Sequence, residues 1–267
     1  MTDLWIAGLG IQTVNQVTPE VEQALRASRE ILYLDTGVAT KRYLEGLCPR
    51  VTSLFEQSYG ENRPRLNAYE HMAIRVLEAA LDHPPVTFAI HGHPLIAVHP
   101  PFLVLELANA LGVRVKVLPG TSAIDTLVAD LRIDPVVHGV QMYEATDLLL
   151  RRRPLHNDVP AIIWQIGSLE TGLHNQRVSR PERFARFVAH LRQYYPPRHQ
   201  VVAIYSSPHP LLPPAILRFA LEDMGRYAEE IHAGFTLYVP PAVGRPVQDW
   251  DLAAKLYSVD HLRNLTR

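Results

Sequence analysis

Two apolar runs in this chain each break directly into a glycine- and proline-bearing turn. Val86-Thr87-Phe88-Ala89-Ile90 leads into His91-Gly92-His93-Pro94, and Val115-Lys116-Val117-Leu118 leads into Pro119-Gly120-Thr121-Ser122-Ala123. Short apolar runs closed by Gly and Pro fit strands buried on both faces, as in a parallel sheet. In open α/β sheets, small ligands sit in the loops at the carboxyl ends of such strands. Two such loops, about one βα unit apart, point to a single adenosine-sized ligand held between them.

The rest of the chain repeats the pattern. Leu4-Trp5-Ile6-Ala7 reads as a buried strand broken by Gly8-Leu9-Gly10, and Ile31-Leu32-Tyr33-Leu34 as another, closed by Asp35-Thr36-Gly37. Thr18-Pro19-Glu20 is a helix start, with Thr as cap and Pro at the first helical position. Tyr69, Met72, Ala73, Val76, Leu77 and Ala80 share one helical face. A helix is expected near 101–111 and a strand over 113–118. Leu118-Pro119-Gly120 reads as a hinge, after which Thr121 is expected to cap a helix bearing Ile124, Leu127, Val128 and Leu131. The second half shows strand patterns at 161–166, 201–205 and 235–239. Ser179-Arg180-Pro181-Glu182 reads as a capping box opening a helix with Phe184, Phe187, Val188 and Leu191.

Helix and strand alternate throughout, which predicts an α/β fold with mainly parallel sheets. The expected organisation is an N-terminal α/β domain over 1–118 and a C-terminal α/β domain over 119–241. Residues 242–267 read as a tail with one short helix that packs on a neighbour.

With 26 Lys plus Arg against 27 Asp plus Glu, the formal net charge is −1, so no general nucleic-acid footprint follows. The one compact basic run, Arg151-Arg152-Arg153, is a solvated helix end or a patch that steers an acidic partner. A single cysteine, Cys48, excludes an intrachain disulfide and fits a reducing cytosol. Residues 1–5 lack the pattern of a signal peptide, and no apolar stretch approaches the ~20 residues that span a bilayer. The expectation is a cytoplasmic protein with neither membrane nor nucleic acid as partner.

Four motifs carry the candidate chemistry. Gly8-Leu9-Gly10 lacks the third glycine of a dinucleotide fingerprint, so it is either a strand-exit turn or a backbone lining for a substrate. In His91-Gly92-His93-Pro94, Gly92 permits close backbone approach and the imidazoles offer polar contacts. A metal site on His91, His93 and His99 is an alternative, but no carboxylate or cysteine at ligand spacing joins them. A purely structural turn is another. Pro119-Gly120-Thr121-Ser122-Ala123 ends at a helix N-terminus, whose free N–H groups favour a carboxylate or other anion. Finally, Arg65 stands just ahead of the 69–80 pattern that Tyr69 heads, with Tyr59 nearby. A phenol beside an arginine has its pKa drawn below ~10 and becomes a usable base or hydrogen-bond director. Equally, Tyr69 is simply the head of the apolar stripe.

Together these segments resemble the tetrapyrrole methylase superfamily, whose members use S-adenosylmethionine, over roughly residues 4 to 241. The likeness is closest to its peptide-backbone branch, the borosin α-N-methyltransferases. It is carried by Gly8-Leu9-Gly10, Tyr59 through Tyr69, Gly92-His93-Pro94 and Leu118-Pro119-Gly120-Thr121-Ser122-Ala123. Asp134-Pro135 with His138-Gly139, Tyr143 through Leu149, Ile163 through Gly167, and Leu237-Tyr238-Val239-Pro240-Pro241 add to it. Gly92-His93-Pro94 stands where the corrin and sirohaem enzymes carry Gly-Asp-Pro.

The resemblance implies two α/β domains with the cofactor folded in the cleft between them, S-adenosylhomocysteine as the spent product, and a homodimer. It places cofactor contacts at His91, His93, Ile96, Ala123, Gln165, Tyr205, Thr236 and Leu237. It implies catalytic roles for Arg65, Tyr69, Tyr59 and His91. The peptide branch has a tyrosine immediately before Gly-His-Pro, and here His91 stands there. Fused borosin enzymes carry their substrate on a long carboxyl-terminal extension, whereas 256–262 does not look like an apolar core peptide. A substrate on a separate precursor peptide is therefore expected. A small-molecule methyltransferase of the same fold, and a non-catalytic protein that binds S-adenosylmethionine, are the alternatives.

Overall fold

The structure, a computed structural model, describes residues 2–267. In the first lobe the chain runs β1 (Leu4–Gly8), α1 (Thr13–Gln16), α2 (Pro19–Ala27), β2 (Glu30–Leu34), α3 (Val38–Glu45) and β3 (Val51–Ser53). It continues through α4 (Leu54–Ser58), α5 (Arg65–Asp82), β4 (Val86–Ile90), α6 (Pro100–Leu111) and β5 (Val115–Leu118). The five strands form one sheet in the order β3-β2-β4-β1-β5, and every pairing in it is parallel. Helices cover both faces. Met72, Ala73, Val76 and Val104 of α5 and α6 pack on Ile6, Phe88 and Ile90. Val21, Leu25 and Leu44 of α2 and α3 pack on Ala7, Ile31 and Tyr33. Burial on both sides is why these strands read as continuous apolar runs.

The second lobe holds α7 (Ala123–Leu131), β6 (Gln141–Glu144), α8 (Ala145–Leu150), β7 (Ala161–Trp164), α9 (Ala185–Leu191), β8 (Gln200–Tyr205), β9 (Ala215–Ala220) and β10 (Thr236–Val239). Its sheet order is β6-β7-β10-β8-β9. Only β6–β7 is parallel; β10 runs antiparallel to both β7 and β8, and β9 antiparallel to β8. The mainly parallel character thus belongs to the chain as a whole and to the first lobe, while the second sheet is mixed. Leu127 of α7 packs with Ile162 and Ile204, so α7 adheres to the second sheet.

Local signals behaved unevenly. Thr18 caps α2 as read, accepting the Val21 N–H at 3.2 Å. Met72, Ala73, Val76, Leu77 and Ala80 are the buried face of α5, but that helix begins earlier, at Arg65 itself. Arg65 is therefore inside the helix rather than ahead of it. Thr121 does not cap α7. Ser122 does, in a reciprocal capping box with Asp125. The strand expected to reach Ile166 stops at Trp164, because Gln165 adopts the left-handed conformation (φ +60°) and a 3₁₀ turn follows over Ile166–Ser168. Ser179 makes no helix cap either. Its hydroxyl accepts from the Arg183 guanidinium at 2.8 Å, and a 3₁₀ turn over Pro181–Phe184 precedes α9.

After β10 come two short helices rather than one, α10 (Trp250–Lys255) and α11 (Val259–Leu265), neither of which buries a residue. Arg151 and Arg153 both pair with Asp147, at 2.6 and 2.8 Å, so the basic run is a solvated helix end. Among the described residues no helix is long and apolar enough to cross a membrane.

Candidate active site

Parallel pairing puts the carboxyl ends of β1, β2, β4 and β5 on one edge of the first sheet. Antiparallel β10 begins beside the ends of β7 and β8, since Leu237 pairs with Ile163 and Thr236 with Ile204. Thr236, Gln165 and Tyr205 therefore share one edge of the second sheet. The two edges meet in a seam. Gln165 Nε2 donates to the Ala97 carbonyl across it at 3.4 Å. Burial, and then the negative charge of Asp35 at the end of β2, push the Tyr205 phenol up.

Three loops of the first lobe are knitted together at this seam. Gly10 and Gly92 exchange N–H···O bonds of 3.2 and 2.9 Å. A Cβ on Gly120 would come within 2.7 Å of the Gly8 and Gly92 backbones, so the three chains touch where only glycine fits. Gly8-Leu9-Gly10 is thus part of the edge where these loops meet. The knot brings Gly92 beside Thr121 and His93 within reach of Asp125, at the start of α7. Ser122 Oγ serves the Ile124 and Asp125 N–H groups and Ser122 O the Thr126 N–H, which leaves the Ala123 N–H as the free donor at the α7 amino end. Burial raises the Asp125 carboxyl, but the Ser122 hydroxyl and N–H, with the nearby His93 as a weaker contributor, bring it below its ordinary value.

Two members of the set are constrained. Leu237 is wholly buried in the second core, so it has only its backbone to offer a ligand. His93 Nδ1 already accepts the Leu95 N–H at 3.1 Å, an internal brace of its loop. Among the described residues no three His, Cys, Asp or Glu side chains gather as a metal site.

Beside the seam opens a cleft of about 1130 Å³. Tyr59, Arg65 and Tyr69 line it together, and Gln165 lines it as well. Tyr59 stands edge-on to Tyr69, with ring centres 6.3 Å apart, and lies against His174 at 4.5 Å. A strap from the second lobe crosses here. The Asn62 and Arg65 N–H groups donate to the His174 and Gly172 carbonyls, and the His174 N–H donates to Arg63 O, each at 2.8 Å. The Arg65 guanidinium donates to Thr171 O at 2.7 Å.

Electrostatics overturn one expectation. The Tyr59 phenol is raised well above its ordinary value: burial is the largest cause, Tyr69 adds to it, and the Arg65 charge opposes it only weakly. So shifted, the phenol holds its proton and is suited to donating a hydrogen bond.

Other cleft residues were given no role in a cleft by the sequence: His99 entered only as a metal-ligand alternative and Trp164 only within the 163–167 resemblance. His99 packs on Tyr69 at 5.5 Å and Trp164 precedes the Gln165 bend. Arg183 binds Gly167 O and Leu169 O at 3.0 and 3.2 Å, bracing the segment that leads into the strap. None of these lies on a periodic pattern. Arg183 was visible only as a charged residue inside an apolar helical stretch.

An all-parallel lobe facing a mixed lobe, with glycine-tight loops at the seam, defines a two-lobed α/β protein with a ligand cleft between sheets. The family model for Tetrapyrrole (Corrin/Porphyrin) Methylases matches residues 3–207, and the chain belongs to that family. It is 31% identical over 268 residues to a methyltransferase/type II borosin cyclic peptide precursor of Phlebiopsis gigantea, covering 96% of this chain and 46% of that protein. The chain spans between about three-tenths and three-fifths of the length of the curated relatives it matches. Its fold is similar to that of the methyltransferase CobJ (TM-score 0.64, 22% identity, covering 93% of this chain and 98% of that one). It is also similar to a Thermus thermophilus uroporphyrin-III C-methyltransferase complexed with S-adenosyl homocysteine (TM-score 0.62, 17% identity, covering 90% and 97%).

Proposed function

We propose that this protein is an S-adenosylmethionine-dependent methyltransferase that α-N-methylates backbone amides of a peptide. The observation that carries the reading is the meeting of Arg65, Tyr69 and Tyr59 in one cleft that Gln165, tied to the 91–97 loop, also lines. The acceptor groups and the nucleoside seam are then neighbours. The cleft exceeds the ~1,000 Å³ upper range of small-molecule pockets, which suits an extended peptide segment. The borosin relatives, each a methyltransferase joined to a cyclic peptide precursor, support that acceptor class.

The residues fit the proposed cofactor. The glycine knot brings three loop backbones together at the seam, and the free Ala123 N–H at the α7 amino end suits its carboxylate. His91, His93, Ile96, Ala123, Gln165, Tyr205, Thr236 and the Leu237 backbone are the proposed contacts. Bound S-adenosylmethionine supplies a methyl already activated on a sulfonium, and S-adenosylhomocysteine remains. The protein's task is to place and activate a poor nucleophile, since the amide lone pair is delocalised into its carbonyl. Arg65 stabilises charge developing on the amide oxygen. Tyr59 donates to the same oxygen, Tyr69 directs the amide, and His91 takes the amide proton while neutral.

The peptide is proposed to be a separate precursor; 242–267, which forms α10, α11 and their connections with charged residues throughout, is not read as the acceptor. A homodimer, which enlarges the peptide-binding surface, and cytoplasmic residence complete the proposal. The test is incubation with isotopically labelled cofactor and candidate precursor peptides, read by tandem mass spectrometry. Mass gains of one methyl on backbone nitrogens are expected. Methylation of small acceptors but of no peptide would overturn the peptide reading, and failure to bind the cofactor would overturn the whole.

A further inference from the structure

Asp35 and His91 follow immediately on the paired residues Leu34 and Ile90, at the carboxyl ends of the neighbouring strands β2 and β4. The His91 N–H is fixed to Leu34 O at 3.2 Å. His91 Nδ1 lies 3.4 Å from Asp35 Oδ2. At that separation the two are in contact without a formed hydrogen bond, and buried Nδ1 has no other partner. The carboxylate itself is held firmly. Oδ2 accepts from the Thr40 and Thr13 hydroxyls at 2.8 and 3.3 Å, and Oδ1 from the Gly37 N–H at 2.8 Å. The imidazole keeps 39% of its side-chain surface exposed although Nδ1 is buried, so the Nε2 edge is the one turned outward. Tyr205 of the second lobe is the other titratable group that senses Asp35.

A carboxylate accepts only, so the nitrogen facing it carries the proton and the far nitrogen keeps its lone pair. We propose that Asp35 is the positioning residue of His91: it fixes the imidazole with Nδ1–H inward and leaves Nε2 as the proton acceptor at the seam. This rests on the reading of His91 as the base in amide methylation. In that step His91 Nε2 gains the amide proton as the nitrogen–methyl bond forms and the sulfur–methyl bond breaks. The positive charge lost from sulfur reappears on the imidazolium, and Asp35 offsets it. Sequence showed Asp35 only as the residue that closes a strand.

The test has two arms. Long-range ¹H–¹⁵N spectra of the cofactor-free protein, with the His91 signals assigned by difference from His91→Gln, report the tautomer without any turnover. The wild type is expected to show Nδ1–H and a bare Nε2, and Asp35→Asn to revert to Nε2–H. An Nε2–H tautomer in the wild type overturns the proposal, and that result stands even if the variant does not fold. In the second arm, Asp35→Asn is expected to lower peptide methylation by about 100-fold. The cofactor Kd should stay within about twofold, and the acid limb of the pH–rate profile should shift. Unchanged turnover with an unchanged profile removes Asp35 from the step while leaving peptide methylation intact. A wild type that methylates no peptide, yet shows the Nδ1–H tautomer, strikes the functional reading and spares the pair.

Discussion

The Arg65 guanidinium of the first lobe is aimed by a carbonyl of the second: its Nη2 donates to Thr171 O at 2.7 Å. The Arg65 main-chain N–H is held by Gly172 O at 2.8 Å. Both ends of the residue are thus fastened to the strap, which Arg183 braces from behind through Gly167 O and Leu169 O. A cation fixed in this way needs little reorganisation when charge develops on a substrate oxygen, which is the condition under which electrostatic stabilisation is largest.

Arg65→Ala should therefore lower methyl transfer by at least ~10²-fold while cofactor affinity, measured by calorimetry, stays within about twofold. Arg65→Lys keeps the charge but loses the planar fork. It should recover less than about a tenth of wild-type turnover. Near-native turnover in the alanine variant would take Arg65 out of the mechanism.

Tyr59 stays protonated across the working range, because burial and Tyr69 outweigh the Arg65 charge. Loss of its hydroxyl in Tyr59→Phe removes a donor and no base. Turnover should fall by about 10-fold, the cost of one hydrogen bond to a charged group. The shape of the pH–rate profile above neutrality should match that of the wild type. An alkaline limb that vanishes with the hydroxyl would contradict this.

Strand-forming runs, the α2 cap and the α5 face were legible because burial and local propensity agree there. Less legible was the topology of the second sheet. Gln141–Glu144 and Ala215–Ala220 form strands without a fully apolar run, since β6 and β9 are edge strands with half-buried or exposed faces. Gln165 turns left-handed against the preference of a non-glycine residue. That bend is imposed by its surroundings, with Gly167 pressed within 2.1 Å of His232 O if given a Cβ. The site was legible where motifs lie in one stretch, as at 59–69 and 91–94. Asp35, His174 and Arg183 reach it through pairing of distant segments, which no local pattern encodes.

The glycine knot is directly testable. A Cβ at Gly120 would meet Gly8 C and Gly92 O at 2.7 Å, both backbone atoms with no soft end to yield. Gly120→Ala should destabilise the protein by about 1–3 kcal/mol. It should also weaken S-adenosylhomocysteine binding by more than the stability change accounts for, because the 91–94 and 119–123 loops separate. Gly244→Ala, with open space around its Cβ and away from the cleft, is the control and should leave both unchanged within error. Equal effects of the two substitutions on binding would count against the knot as a ligand-bearing feature.

Asp35 also ties the seam to acid stability. Burial alone would raise its carboxyl, yet His91, the Gly37 N–H and the Thr40 hydroxyl together hold it down to about 2, from 3.8. A depressed folded-state pKa stabilises the fold above the unfolded value and loses that contribution as pH falls through the folded one. The window is therefore from about pH 4 down to about pH 2. At roughly 1.4 kcal/mol per pKa unit the contribution is about 2 kcal/mol. Wild type and Asp35→Asn should differ by that amount at pH 5 and converge as the pH is lowered to 2, as read from urea midpoints across the range. Asp3 is depressed over the same window by Arg114, but it titrates in both proteins and cancels in the difference. A gap between the two proteins that stays constant from pH 5 to pH 2 would show that the Asp35 carboxylate is not held by these partners.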